Sequence, residues 1–103
     1  MKVRLKPRAR ADLLAIRAWG EDHWGEARTR DFLEGLIEAI ERLSDFPMMG
    51  RAREAFLPGL RSLRHRGYVI FYLPEEDGPV ILAVIHERRN QAALDFADRI
   101  EGE

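Results

Sequence analysis

Two short stretches gather the side chains best suited to chemistry. Arg61, Arg64, His65 and Arg66 lie in LRSLRHRG, and His86, Glu87, Arg88 and Arg89 leave an apolar run in VILAVIHERRN. Imidazole, carboxylate and guanidinium groups at strand ends can bind an anion, or hold a proton donor and acceptor against a phosphate. The same residues also suit an ordinary solvated strand end and hairpin turn. Other chemistries lack their parts. The aliphatic hydroxyls are Thr29, Ser44 and Ser62, and none sits in a nucleophile elbow. His23, His65 and His86 are far apart and give no helical metal-ligand pair, so no metal site is expected. There is no glycine-rich phosphate loop. No catalytic residue and no cofactor is expected.

The charge is unevenly placed. The 103 residues carry a formal net charge of −1, which argues against a protein that coats nucleic acid non-specifically. Yet Lys2, Arg4, Lys6, Arg8 and Arg10 make the start basic, and five arginines between Arg51 and Arg66 face a single acid, Glu54. Glu26 to Asp45 is acidic on balance. These runs read either as solvated faces or as opposite-sign surfaces. The absence of cysteine excludes disulfides and thiolate metal sites and fits a reducing cytoplasm. The basic start is not followed by an apolar run, so no signal peptide is expected. No apolar run approaches the roughly 20 residues of a membrane span. Residues 1–103 are expected to form one domain.

The elements that must position these groups follow from periodicity. KVRLK alternates and reads as a short strand. Pro7 ends it and can open a helix from Arg8 to Trp24, with Ala9, Leu13, Ile16 and Gly20 inward and Asp12 and Arg17 exposed. Gly20 is a weak point there, and Gly25 is a stop. A second helix from Glu26 to Asp45 carries a stripe of Phe32, Leu33, Leu36, Ile37, Ile40 and Leu43, and the two form a helical hairpin. FPMMGR is a loop, and Ala52 to Pro58 is irregular or a helical turn. Leu60–His65, Tyr68–Leu73 and Val80–His86 read as strands joined at Arg66-Gly67 and at PEEDGP; the last is apolar on both faces, so both should be covered. Asn90 can cap a final helix from Gln91 to Ile100. The fold class is α+β: a helical hairpin on a small, mostly antiparallel sheet, in the order β-α-α-β-β-β with a short C-terminal helix. Trp19 and Trp24 either plug the hairpin corner or anchor a partner. Met48 and Met49 are loop packing or an adaptable contact surface.

The ordered combination of ARADLLAI, WGEA, EAIERLSDFPMMGR, PGLRSLRHRGYVIFY and VILAVIHERRN resembles the ParE toxins of the RelE/ParE superfamily, from about Leu5 to Asn90. These are bacterial type II toxin–antitoxin and plasmid-stabilisation proteins. The resemblance implies a cytoplasmic toxin held inactive in a hetero-oligomer by a cognate, ParD-like antitoxin. Any operator DNA contact would be made through the antitoxin. It also implies DNA gyrase as the target, inhibited by binding. The expected target face is Arg61, Arg64, Arg66, His86, Arg88 and Arg89. Expected antitoxin contacts are Trp19, Trp24, Leu33 and Phe56.

The alternative within the superfamily is a ribosome-dependent, metal-independent mRNA endonuclease of the RelE type. Matched on Leu63-Arg64 and Gly67-Tyr68, the basic nuclease positions fall here on Leu60, Ser62 and Val69, and the tyrosine position on about Leu94. Only Arg88 matches. Leucine, serine and valine cannot move protons or neutralise a developing phosphorane, so binding without catalysis is the favoured expectation. A nuclease would have to use Arg88 with His86 or His65 as acid or base. A third expectation is an inactive member that serves only as an antitoxin-binding module.

Overall fold

The computed structural model describes residues 3–89, 91 and 94–101. The chain runs β1 (Arg4–Leu5), α1 (Pro7–His23), α2 (Glu26–Asp45), β2 (Arg51–Ala52), β3 (Arg61–His65), β4 (Tyr68–Glu75), β5 (Gly78–His86) and α3 (Phe96–Glu101). The sheet order is β1-β5-β4-β3-β2. Only β1 is parallel to its neighbour, pairing Arg4 with Val80 and Leu5 with Ile81.

The two hairpins come from local turn chemistry. Arg66 and Gly67 both have positive φ, 47° and 87°, the geometry whose twist suits a two-residue hairpin. The second hairpin is longer than the sequence suggests, because Pro74 pairs with Pro79 and Glu75 with Gly78. Two prolines can face each other only where the ladder needs no N–H. Phe71 pairs with Ala83 and Tyr72 with Ile81, so Leu82 is bulged out of register.

Both sheet faces are covered, as the apolar run of β5 requires. Eight of its nine residues are buried. On one face Ile16 of α1 and Leu36, Ile40 and Leu43 of α2 pack on Ile70, Tyr72, Ile81 and Val84. On the other, Phe56, Leu57, Phe96 and Ile100 pack on Val69, Phe71, Leu82 and Ile85. The segment after β2 and the last helix thus form a second layer. At the hairpin, Gly20 is a point of close approach: a Cβ there would lie 2.7 Å from Thr29 Oγ1.

Four expectations change. Asp12 is not exposed: its Oδ2 accepts the Arg99 guanidinium at 2.9 Å and the Val84 N–H at 2.9 Å. Ile37 is 46% exposed, because the stripe on α2 is wider than the arc that meets the sheet. Arg51–Ala52 pairs with Arg61–Ser62 as an edge strand, where a loop was expected. The last helix begins at Phe96, since the Asp95 carboxylate caps it by accepting the Asp98 N–H at 3.0 Å. Asn90, expected to cap it, lies outside the described residues.

The Asp12–Arg99 pair ties three elements. β1 reaches only Val80 and Ile81, so the outer edge of β5 beyond them needs other partners. Asp12 of α1 takes the Val84 N–H, and Arg99 of α3 donates to Leu82 O at 2.8 Å. The Arg99 and Asp12 side chains are 4% and 14% exposed. Removing either partner leaves an uncompensated buried charge. Asp12→Ala should therefore destabilise by about 3 kcal/mol or more in urea unfolding. Combined with Arg99→Ala, the losses should be clearly less than additive. A loss below about 1 kcal/mol would mean that the pair is solvated.

His65 lies under α2, close to Gly35, and its Nε2 is buried with no hydrogen-bond partner among the described residues. Burial lowers its pKa, and the Arg66 and Arg42 charges lower it further. A histidine whose folded pKa is depressed contributes nothing when both states are neutral. Below about pH 6.5 the unfolded chain takes up a proton that the folded chain resists. Stability should fall as pH drops through that point, and His65→Leu should flatten this part of the urea-midpoint profile. An unchanged slope would place the acid sensitivity elsewhere.

Candidate functional site

Strand alternation decides which charges meet. Ser62 and Arg64 of β3 point to the face away from the helical hairpin, beside Val69 and Phe71 of β4. Among the described residues, the second layer leaves part of that face uncovered. There Met49, Arg51, Arg53, Ser62, Leu63, Arg64, Val69, Glu87, Arg88 and Gln91 line a cavity of about 660 Å³. Four guanidinium groups face a single carboxylate. Arg64 pairs with Glu87. Arg53 donates to Ser62 Oγ at 3.3 Å and Gln91 Oε1 at 3.2 Å, and lies 4.8 Å over the Phe56 ring. Burial lowers the Arg53 pKa, and the Arg51 charge lowers it further, yet a guanidinium stays cationic at any physiological pH.

This arrangement suits binding an anionic surface. Ser62, Val69 and Arg88, three of the positions where a RelE-type nuclease would carry its chemistry, converge on the cavity. Ser62 and Val69 supply no charge and no acid or base group, and Leu60 is buried in the second core. His65 sits under α2, and His86 packs edge-on to Tyr68 on the hairpin face. Neither histidine lines the cavity with Arg88. Among the described residues, no group of three or more His, Asp or Glu could hold a metal.

The expected target face therefore divides. Arg64 and Arg88 share the arginine cavity. Arg66 and His86 line a second cavity of about 420 Å³ with Trp19, Trp24, Arg28, Asp31, Phe32 and Tyr68. The reason is geometric: His86 pairs with Tyr68 and follows its face, while Arg64 pairs with Val69 and follows the other. Arg61 is half-buried and tied to the loop before β2, donating to Gly50 O at 2.8 Å and Met48 O at 3.1 Å. Arg89 is exposed and lines neither cavity; its N–H closes a turn to His86 O at 3.0 Å.

The expected antitoxin contacts also disperse. Trp19 is exposed and stacks on His23 at 3.9 Å, with Trp24 edge-on to it. Leu33 lines a groove of about 250 Å³ between α1 and α2 with Thr29, Ile37 and five charged residues. Phe56 belongs to the second core, packed on Phe71 and Phe96. Arg51 and Arg53 also line the arginine cavity and were not among the expected residues. Their i, i+2 spacing after Gly50 was the available signal.

Residues 3–91 match the family described as ParE toxin of type II toxin-antitoxin system, parDE. Toxin ParE1 of Mycobacterium tuberculosis is 33% identical over 85 residues, covering 82% of this chain and 87% of that protein. Toxin ParE1 of Caulobacter vibrioides is 32% identical over 90 residues, covering 87% and 93%. A solved structure described as the chromosomal ParDE TA system from P. aeruginosa superposes with a TM-score of 0.72 at 20% identity, covering 84% of this chain and 95% of the other. The last likeness shows the fold. Together with the family match and the curated relatives, it means that this chain belongs to the ParE toxin family of type II toxin–antitoxin systems.

Proposed function

We propose that this toxin inhibits DNA gyrase by binding, through the arginine-lined cavity, and that a ParD-like antitoxin neutralises it in the cytoplasm. The supporting observation is the composition of the cavity. Arg51, Arg53, Arg64 and Arg88 surround it, with Glu87 as its one carboxylate. Guanidinium forks match carboxylate and phosphate oxygens, and none of them exchanges a proton near neutral pH. Such a site recognises an acidic protein surface or a phosphate backbone without transforming it.

The antitoxin has a separate place to dock. The hairpin groove offers Leu33 and the exposed Ile37, with Leu14 also left in water on α1. Arg17, Arg30, Glu21, Glu26 and Glu34 border it. An amphipathic helix would bury the apolar positions and pair with both signs of charge. Any operator DNA contact then belongs to the antitoxin, in a hetero-oligomer of the two chains.

Arg64→Glu with Arg88→Glu should raise the half-inhibitory concentration in a gyrase supercoiling assay by at least about tenfold. Both positions are exposed, so the lost Arg64–Glu87 pair and the new like-charge contacts are screened by solvent, and the melting temperature and antitoxin affinity should hold. Unchanged inhibition would remove the cavity from the account. Intact supercoiling with cut mRNA in a translating extract would replace binding with a nuclease mechanism.

A further inference from the structure

Three large apolar side chains that the fold leaves in water fall within four consecutive residues. Phe46, Met48 and Met49 are 60%, 63% and 43% exposed. A loose loop would account for that, but this backbone is held from several sides. Tyr72, fully buried, donates its hydroxyl to Pro47 O at 2.7 Å and accepts the Gly50 N–H at 2.9 Å. Arg61 holds the Gly50 and Met48 carbonyls. The Met49 N–H returns to Phe46 O at 3.1 Å, and the Phe46 N–H to Arg42 O at 2.9 Å. Gly50 is obligatory, since a Cβ would lie 2.5 Å from the Tyr72 hydroxyl. The core thus spends a buried hydroxyl and a guanidinium on displaying apolar side chains outward.

We propose that the Phe46–Met49 loop is the apolar anchor by which the toxin docks on its protein target. The inference deepens the target-binding reading and relies on it for the identity of the target. Met49 also borders the arginine cavity, so one partner meets thioethers and guanidiniums together. The complementary surface is an apolar pocket rimmed by carboxylates. Met side chains adapt to such a pocket, and a preordered backbone lowers the entropy lost on docking. A nucleic acid suits this loop less well. Its exposed side chains are apolar and offer a phosphate backbone neither a charge nor a hydrogen-bond donor.

The test uses the full chain with Met48→Ser and Met49→Ser together, and Phe46→Ser as a second variant. The substitutions are at exposed positions, and a melting temperature confirms folding. Growth arrest at matched expression, antitoxin affinity and gyrase inhibition at two salt concentrations are read. Growth arrest should be lost and inhibition weakened by about tenfold or more, as for a buried anchor. The weakening should be the same at both salt concentrations, because apolar contact is not screened. Antitoxin affinity should stay within about twofold, as for changes distant from an interface. Growth arrest equal to wild type would overturn the proposal. So would a parallel loss of antitoxin affinity, which would make the loop an antitoxin contact. Binding of wild type to bare duplex DNA, lost in the variants, would overturn it in favour of a wedge between base steps. Loss of growth arrest beside a wild-type toxin that leaves gyrase untouched would keep the anchor and remove gyrase as its target.

Discussion

The buried Asp12–Arg99 pair is the constraint on which the rest of the molecule depends. β5 is apolar along nearly its whole length and must be covered on both faces and along its outer edge. β1 is too short to cover that edge. Asp12 and Arg99 complete it by hydrogen bonding where a longer strand would have done so by pairing. In doing so they fix α1 on one face and α3 on the other. A pair of charges this enclosed is not in itself a gain over apolar packing. Its effect here is positional, because it holds α1 and α3 against the outer edge of β5.

The open part of the sheet becomes the arginine cavity. Its walls come from β2, β3, Val69 of β4, the start of the second layer and the segment after β5. Tyr72 and Arg61 hold the neighbouring loop. Two kinds of surface therefore lie side by side on a rigid support, one cationic and one apolar. Guanidiniums raise encounter rates and set the register of a complex, while apolar anchors set its lifetime. A toxin that works by occupying its target needs both.

Much of the fold was legible because it is local. The α2 stripe, the Arg66-Gly67 turn and the apolar run of β5 are periodic or turn signals readable within ten residues. What was not legible depends on distant partners. Asp12 looks like one more polar helix position until Arg99, 87 residues away, is placed beside it. β2 is two residues long and carries no alternation to read. The arginines looked like one cluster because sequence proximity hides strand alternation. Pairing sends Arg64 to one face and His86 to the other, and hydrogen bonds tie Arg61 to the Met48 and Gly50 carbonyls. Phe56 packs on Phe71 and Phe96 in the second core; the apolar run of β5 called for such a layer, but nothing local says which segment supplies it. Arg51 and Arg53 were counted as charge, but the edge pairing that turns them toward Arg64 appears only in three dimensions.

The most direct measurement is hydrogen exchange of the toxin alone and in the presence of gyrase. Binding through the open face predicts slowed exchange in β2, β3, the loop before β2 and the segment after β5, with the outer sides of α1 and α2 unchanged. Protection confined to the helical hairpin, with the arginine face exchanging as in the free chain, would contradict the account.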